Sequence, residues 1–163
     1  MNFKPLSGIE ESIAKKIVDA CLCVKNARRQ AAFTVHKKLG PGLLEKIYEI
    51  CFCHELSKRG LKYQRQIDIP IVYDGIVFDE GLRLDVLVED LVICEIKAVD
   101  EIHPVKYLGH IVQQNLLLVL FHGVNSVWVA QILSHLKLTN KRLGFLINFN
   151  VSLIKDGIKR FIL

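Results

Sequence analysis

The sequence predicts an α/β fold in which a mixed β-sheet is flanked by helices. Three observations favour it: helical periodicity at the start of the chain, alternating apolar and polar residues from Tyr63 onward, and a later helical stretch before a last β-like segment. The chain has 163 residues, 51% of them hydrophobic and 24% charged, which is enough for a full core in one domain. We therefore expect a single domain over residues 1–163.

The first half of this pattern is helical. Apolar residues recur at helical intervals from Ile9 to roughly Leu39, as one long helix or two short ones. Gly40-Pro41-Gly42 interrupts the pattern because both glycines favour turns. A second helix is expected from about Leu43 to Arg59, with Gly60 as its C-terminal stop.

Strands should follow from Tyr63. Asp74-Gly75 marks a tight turn after the first strand, and the predicted returning strand is 76–78. Two more strands are expected at 82–88 and 91–98, separated by Glu89-Asp90. A largely helical region then runs from Pro104 to about Leu138, followed by β-like segments at 143–149 and 158–163.

Composition limits the class of protein and its location. No uncharged apolar run is both long enough and apolar enough to span a membrane, and the first ten residues lack the pattern of a secretion signal, so a cytoplasmic protein without a membrane partner is expected. The five cysteines lie within apolar patterns and are expected to be buried thiols in a reducing compartment. The net charge of +5 favours polyanionic partners without establishing one.

The candidate residues for a metal-binding or catalytic site are Asp85, Glu95 and Lys97. Glu95 and Lys97 share a strand face, and in a hairpin closed by residues 89–91 Asp85 lies directly across from Glu95. Two facing carboxylates repel each other unless a cation lies between them, and Mg²⁺ is the divalent ion that favours such oxygen ligands. A second interpretation stays open, in which these residues form a solvated polar face neutralised by Arg83 and Lys97.

The pattern of Asp85 followed by Glu95-Ile96-Lys97 resembles the PD-(D/E)XK nuclease superfamily. Residues 39–49 further resemble the signature of the GxxExxY protein family within it, with Gly42, Glu45 and Tyr48 at the named positions. The resemblance continues through residues 79–85, 95–99, 130–133 and 146–149, and so covers most of the chain. It implies a restriction-endonuclease-like core and metal-dependent hydrolysis of a nucleic acid, with DNA as the expected partner.

The resemblance also implies roles for individual residues. Asp85 and Glu95 would be ligands of Mg²⁺ or Mn²⁺, and Lys97 would orient or activate the attacking water. Glu45 would reach the site from the helix before the sheet, and Gln131 from a helix after the core strands. Tyr48 has helical spacing to its apolar neighbours and is expected to be a core residue. His135 stands where the family often has Tyr.

Two segments depart from the family pattern and are expected to be insertions, near residues 21–31 and 106–127. The second contains the apolar run 116–121, which either packs on the domain or forms a self-association surface, so a homo-oligomer is possible. These insertions favour a competing hypothesis, a non-cleaving module that binds nucleic acid or protein. Nine basic residues are candidates for phosphate contacts: Lys58, Arg59, Lys62, Arg65, Lys141, Arg142, Lys155, Lys159 and Arg160.

Overall fold

The computed structural model describes residues 5–17, 31–100 and 126–163. The order of elements is α1 (Gly8–Ile17), α2 (Ala31–Leu39), α3 (Glu45–Ser57), β1 (Tyr63–Tyr73), β2 (Ile76–Val88), β3 (Val92–Lys97), α4 (Ser126–Leu138), β4 (Leu143–Asn148), α5 (Ile154–Gly157) and β5 (Ile158–Ile162). The predicted insertions near 21–31 and 106–127 lie almost entirely outside the described residues, as does the apolar run 116–121.

A five-stranded sheet, counted over the described residues, follows the order of the chain from β1 to β5. Its pairs are antiparallel except for β3 and β4, which are parallel. The connection between these two strands contains α4, as a parallel pair requires a long crossover. The prediction of a mixed sheet flanked by helices is confirmed.

Hydrophobic cores lie on both faces of the sheet. The larger core joins helices α1, α2 and α3 to one face, to which Val92, Cys94 and Ile96 of β3 contribute. The smaller core joins Ile132 and Leu136 of α4 to the other face. Because both faces of β3 are covered, a polar side chain on this strand is taken out of water.

The strands predicted separately at 76–78 and 82–88 are one strand, β2, and that prediction was wrong. The pairing of β1 with β2 shifts register between Ile69 and Ile71, so that residues 79–81 are accommodated as a bulge within a continuous hairpin. Gly81 permits this bulge, since a Cβ atom at that position would lie 1.7 Å from the carbonyl oxygen of Ile69.

The predicted end of α3 and the predicted turn between β1 and β2 are confirmed. Gly60 has a φ of 68° after the end of α3, and Asp74 and Gly75 both have positive φ in the turn between β1 and β2. The described residues contain no helix long and apolar enough to cross a membrane. Cys53 and Cys94 are buried and free, as expected from their apolar surroundings, whereas Cys51 is free but only partly buried. Cys21 and Cys23 lie outside the described residues.

Candidate active site

The β2–β3 hairpin has the predicted register, but its ladder ends one pair before Asp85 and Glu95. The paired positions are Val88 with Val92, Leu87 with Ile93, and Val86 with Cys94. Beyond them Asp85 Oδ2 accepts a hydrogen bond of 2.8 Å from the backbone N–H of Ile96. The Asp85 carboxylate therefore bonds to the backbone of β3 at the point where backbone pairing between β2 and β3 has ended, and this bond fixes the carboxylate beside β3.

Lys97 is the cation between the two carboxylates. Its Nζ lies 3.0 Å from Glu95 Oε1 and 3.9 Å from Asp85 Oδ2. The Glu95 side chain is fully buried, and those of Lys97 and Asp85 are 13% and 15% exposed. The hypothesis of a polar face is therefore wrong about solvation, but the neutralisation of both acids by Lys97 that it included is present. Arg83 does not join the cluster, because it pairs with Asp68 in an exposed cross-strand contact of 2.7 Å.

Burial and like charge perturb the Asp85 carboxyl. Desolvation first, and then the charge of Glu95, raise the pKa of Asp85 to about 7, although the N–H of Ile96 and the ammonium of Lys97 oppose the shift. Burial alone would lower the pKa of Lys97, but Glu95 and Asp85 outweigh it and raise that pKa. Lys97 is thus held as a cation, and its single positive charge does not balance the two neighbouring carboxyl groups of Asp85 and Glu95.

The loop before α3 explains the spacing of Gly42, Glu45 and Tyr48. Gly42 has a φ of 97°, a conformation that favours glycine, and Glu45 is the first residue of the helix. The buried Tyr48 hydroxyl donates a hydrogen bond of 2.6 Å to the carbonyl of Gly40 and accepts one of 3.1 Å from the N–H of Leu43. Tyr48 is a core residue, as predicted, and its hydroxyl ties down the loop that delivers Glu45.

Glu45 reaches the cluster from α3. Burial raises the pKa of its carboxyl, the ammonium of Lys97 opposes the shift, and Glu95 adds to it. The backbone N–H of Ala98, next to Lys97, donates a hydrogen bond that also lowers this pKa. The structure therefore places Glu45 within electrostatic range of both Glu95 and Lys97.

Helix α4 contributes two side chains that both contact Glu95. Gln131 Nε2 donates a hydrogen bond to Glu95 Oε1, so the predicted insertion does not displace Gln131 from the cluster. One turn later His135 Nδ1 lies 3.3 Å from Glu95 Oε2, and its side chain is 1% exposed. The contact of His135 with Glu95 was missed from sequence, although positions i and i+4 of a helix share a face and Gln131 already pointed to this one.

Glu49 is a second residue that sequence analysis did not single out. Its two carboxylate oxygens accept hydrogen bonds of 2.6 Å from Arg65 Nε and 2.8 Å from Gln66 Nε2. Gln66 has a positive φ of 50°, and by the register of β1 and β2 it lies opposite Asp85. Through these two bonds Glu49 links helix α3, which also carries Glu45, to the kink in β1 opposite Asp85.

The donors of this cluster suit a hard divalent cation. Glu95 Oε2 is buried and makes no hydrogen bond within the described residues, although His135 Nδ1 lies 3.3 Å from it, and the raised pKa of Asp85 indicates that further positive charge would be accommodated. The described residues nevertheless contain no group of three or more His, Cys, Asp or Glu side chains placed to hold a metal ion. Asp85 and Glu95 would therefore be only part of a ligand set.

Most of the predicted phosphate-binding residues form ion pairs. Glu55 accepts hydrogen bonds from Lys58 and Arg59, and Arg65 binds Glu49. Lys141 contacts Asp90 and Arg160 contacts Glu11. Since these bases are partly neutralised by acids of the same chain, their number alone does not define a nucleic-acid interface.

Comparison with known families agrees with this arrangement. A family model described as the PD-(D/E)XK nuclease superfamily matches residues 23–121 and 110–161. The matches together span more than half of the chain, which therefore belongs to the PD-(D/E)XK nuclease superfamily. The mixed sheet with flanking helices is consistent with the restriction-endonuclease-like core of this superfamily. Neither the curated proteins nor the solved structures that were compared give a match.

Proposed function

We propose that the chain is a metal-dependent nuclease of the GxxExxY family that hydrolyses phosphodiester bonds of DNA. The observation that carries this proposal is the cluster of Glu45, Asp85, Lys97 and Gln131, all partly buried, around the fully buried Glu95, drawn from two helices and two strands. A buried group of carboxylates around one lysine costs stability, and such perturbed groups are concentrated at functional sites. Membership of a nuclease superfamily supports the same conclusion.

Asp85 and Glu95 would hold Mg²⁺ or Mn²⁺ through their carboxylate oxygens. A bound divalent ion supplies polarisation of the scissile phosphate and a lowered pKa of the attacking water. Glu95 Oε2 would be available to the ion while the Lys97 ammonium stays 3.0 Å from Oε1. The same ammonium would supply a compact positive charge that stabilises the charge developing on a phosphate in the transition state.

Gln131 would act on Glu95, and Glu45 would act beside Lys97. Gln131 would orient Glu95 through the hydrogen bond to Oε1, which holds the carboxylate in one rotamer. Glu45 would hold a proton or a water on the open side of Lys97, because burial favours the protonated form of its carboxyl.

A second candidate function is a non-cleaving binding module on the same fold. The specific observation in its favour is that Lys97 already neutralises Asp85 and Glu95, while the described residues offer no third side chain that completes a metal site. Such a module would bind nucleic acid or protein with the cluster serving only as structure.

Incubation with single-stranded, double-stranded and branched DNA in Mg²⁺, Mn²⁺ or EDTA separates the two functions. The nuclease predicts cleavage that EDTA abolishes and that Lys97→Ala and Glu95→Gln both remove. Lys137→Ala is the matched control, because Lys137 is an exposed lysine on the helix that carries Gln131. Binding that is indifferent to EDTA, with no cleavage in any metal, would favour the binding module.

We also propose that residues 1–163 form one domain that acts in the cytoplasm. The two family matches, 23–121 and 110–161, overlap and together cover residues 23–161, which supports one domain. The free thiols of Cys51, Cys53 and Cys94 support a reducing compartment.

A further inference from the structure

The end of the β1–β2 hairpin exposes apolar side chains on both of its faces. Val72 and Val77 form one cross-strand pair and are 66% and 60% exposed. Tyr73 and Ile76 form the next pair, which faces the other way, and are 67% and 58% exposed. Within the described residues nothing packs over this tip, residues 71–78, and because a two-stranded hairpin alone is marginally stable in water, the tip has the character of a surface that becomes buried in a complex.

The hairpin is acidic in a basic chain. Residues 68–83 contain four acidic residues and one basic residue, a net charge of −3, whereas the whole chain carries +5. The remainder of the chain therefore carries a net charge of +8. Asp68 and Arg83 pair with each other, so the acidic character lies at Asp74 in the tip and at Asp79 and Glu80 directly after it. This acidic end of the hairpin is repelled by the phosphates of a nucleic acid and attracted to a basic protein surface.

Such a surface exists on the same chain, at an apolar groove between α2 and α3. The groove has a volume of roughly 330 Å³ and is lined by Val35 and Leu39 of α2 and by Ile50 and Cys51 of α3. Leu39 and Ile50 are 38% and 46% exposed, so these side chains are also without full cover.

Basic residues surround one end of this groove. Lys38, Lys58 and Arg59 all contact the buried Glu55, which lines the groove, and the four side chains together carry a net charge of +2. Lys38 and Lys58 keep 62% and 50% of their side chains exposed. The groove thus combines an apolar floor with positive charge, which complements the apolar and acidic hairpin tip in both respects.

We propose that the hairpin tip of one copy binds the α2–α3 groove of a second copy, and that the two contacts are reciprocal in a twofold dimer. A reciprocal arrangement buries both exposed features twice and closes the assembly at two copies, whereas a one-way contact would build a larger ring or an open filament. This proposal concerns a surface away from the Glu95 cluster and does not depend on nuclease activity.

Two variants test the contact from its two sides. Tyr73→Glu places a charge in the tip and Ile50→Glu places one in the groove, and both positions are exposed enough for the monomer to fold. Each variant alone should raise the dissociation constant of the dimer, measured by sedimentation, by about tenfold or more. Gln64→Glu, an exposed position on the same β1 strand outside the tip, is the control and should leave the dimer intact.

Mixing the two variants gives the sharper result. In a mixed dimer the intact tip of the Ile50→Glu copy meets the intact groove of the Tyr73→Glu copy, so one of the two contacts returns and association should recover in part. Rising salt should weaken the wild-type dimer, because the contact is electrostatic as well as apolar. A contact of tip against tip would show no recovery on mixing, and that result would overturn the proposal.

The remaining outcomes are also decisive. A wild type that is monomeric at every concentration overturns the proposal. If the wild type is monomeric and Tyr73→Glu lowers its melting temperature, the tip is covered by its own chain. A dimer that neither variant weakens uses another surface, and this outcome overturns the proposal as well.

Discussion

Lys97 Nζ lies 3.0 Å from Glu95 Oε1, and the two side chains are alternate residues on the same face of β3. The fully buried Glu95 is thus neutralised from within its own strand, and Asp85 shares the same ammonium from β2. The repulsion between the carboxylates is reduced by this chain's own lysine, which was one of the two interpretations left open by the sequence, the other being a metal ion. The lysine therefore has a structural role in addition to any role in catalysis.

Replacing Lys97 should cost both activity and stability. Lys97→Met keeps the apolar stem but leaves Glu95 buried without its cation, and breaking a buried pair in this way costs about 3–5 kcal/mol. We expect a large fall in the melting temperature of the EDTA-treated protein and the loss of cleavage. Thermal melts and cleavage assays measure the two effects separately.

Added metal distinguishes the two roles of Lys97. If Asp85 and Glu95 bind Mg²⁺, the ion should restore much of the lost stability of Lys97→Met by RT ln(1 + [L]/Kd), while cleavage stays absent. A Lys97→Met protein whose melting temperature ignores Mg²⁺ and Mn²⁺ would argue strongly against a metal site. Lys137→Met controls for the loss of a lysine in general.

The part of this cluster that depends on the local periodicity of the strands was predicted from the sequence. The alternation of β3 placed Glu95 and Lys97 on one face, and the turn at Glu89-Asp90 set the register that brings Asp85 near them. The contact of His135 with Glu95 depends on how α4 lies against the sheet, which no local pattern encodes. The continuity of β2 was missed because the bulge at Gly81 interrupts the alternation that identifies a strand.

Asp85→Asn should stabilise the metal-free protein at neutral and alkaline pH. The asparagine can still accept the hydrogen bond from the N–H of Ile96, but it removes the charge that burial and Glu95 oppose. Because the pKa of Asp85 is raised from 3.8 to about 7, the native state binds the proton more strongly than the unfolded chain over this interval. Stability from this group is therefore present at low pH and lost as pH rises through the folded pKa.

The difference between variant and wild type should grow with pH accordingly. Above a pH of about 7 the wild-type penalty reaches its full value, on the order of 4 kcal/mol from roughly three pKa units, and Asp85→Asn escapes it. Thermal melts in EDTA across this range measure the effect. Asp68→Asn is the control, since an exposed ion pair with Arg83 contributes little. A variant less stable than wild type throughout would contradict the assigned cause.

Tyr48→Phe tests whether the loop before α3 positions Glu45. The substitution keeps the ring, which stacks on Phe149 with centroids 4.7 Å apart, and removes only the hydroxyl. Loss of its bonds to Gly40 and Leu43 should cost about 1–3 kcal/mol of stability. Cleavage, measured at a temperature where the variant is fully folded, should fall as well because Glu45 loses its fixed approach. Tyr73→Phe, at an exposed position, should change neither property.

Gly81→Ala should disorder the β1–β2 hairpin without unfolding the domain. A Cβ atom there would lie 1.7 Å from the Ile69 carbonyl oxygen and 3.1 Å from Pro70 Cα, and backbone atoms cannot move aside as a side chain would. The bulge must therefore shift, at the 1–3 kcal/mol or so that is usual for overpacking.

The shift should be local, because residues 71–78 contribute to neither hydrophobic core of the described structure. Hydrogen exchange should become faster at the amides of the hairpin beyond the bulge and remain slow in β3 and β4, which lie in both cores. Gly8→Ala is the matched control, since a Cβ atom at Gly8 meets no other atom within 4 Å and alanine suits the start of a helix. Unchanged exchange in the hairpin of Gly81→Ala would show that the bulge tolerates a side chain. The lack of a side chain at residue 81 would then not explain why β2 continues through the bulge.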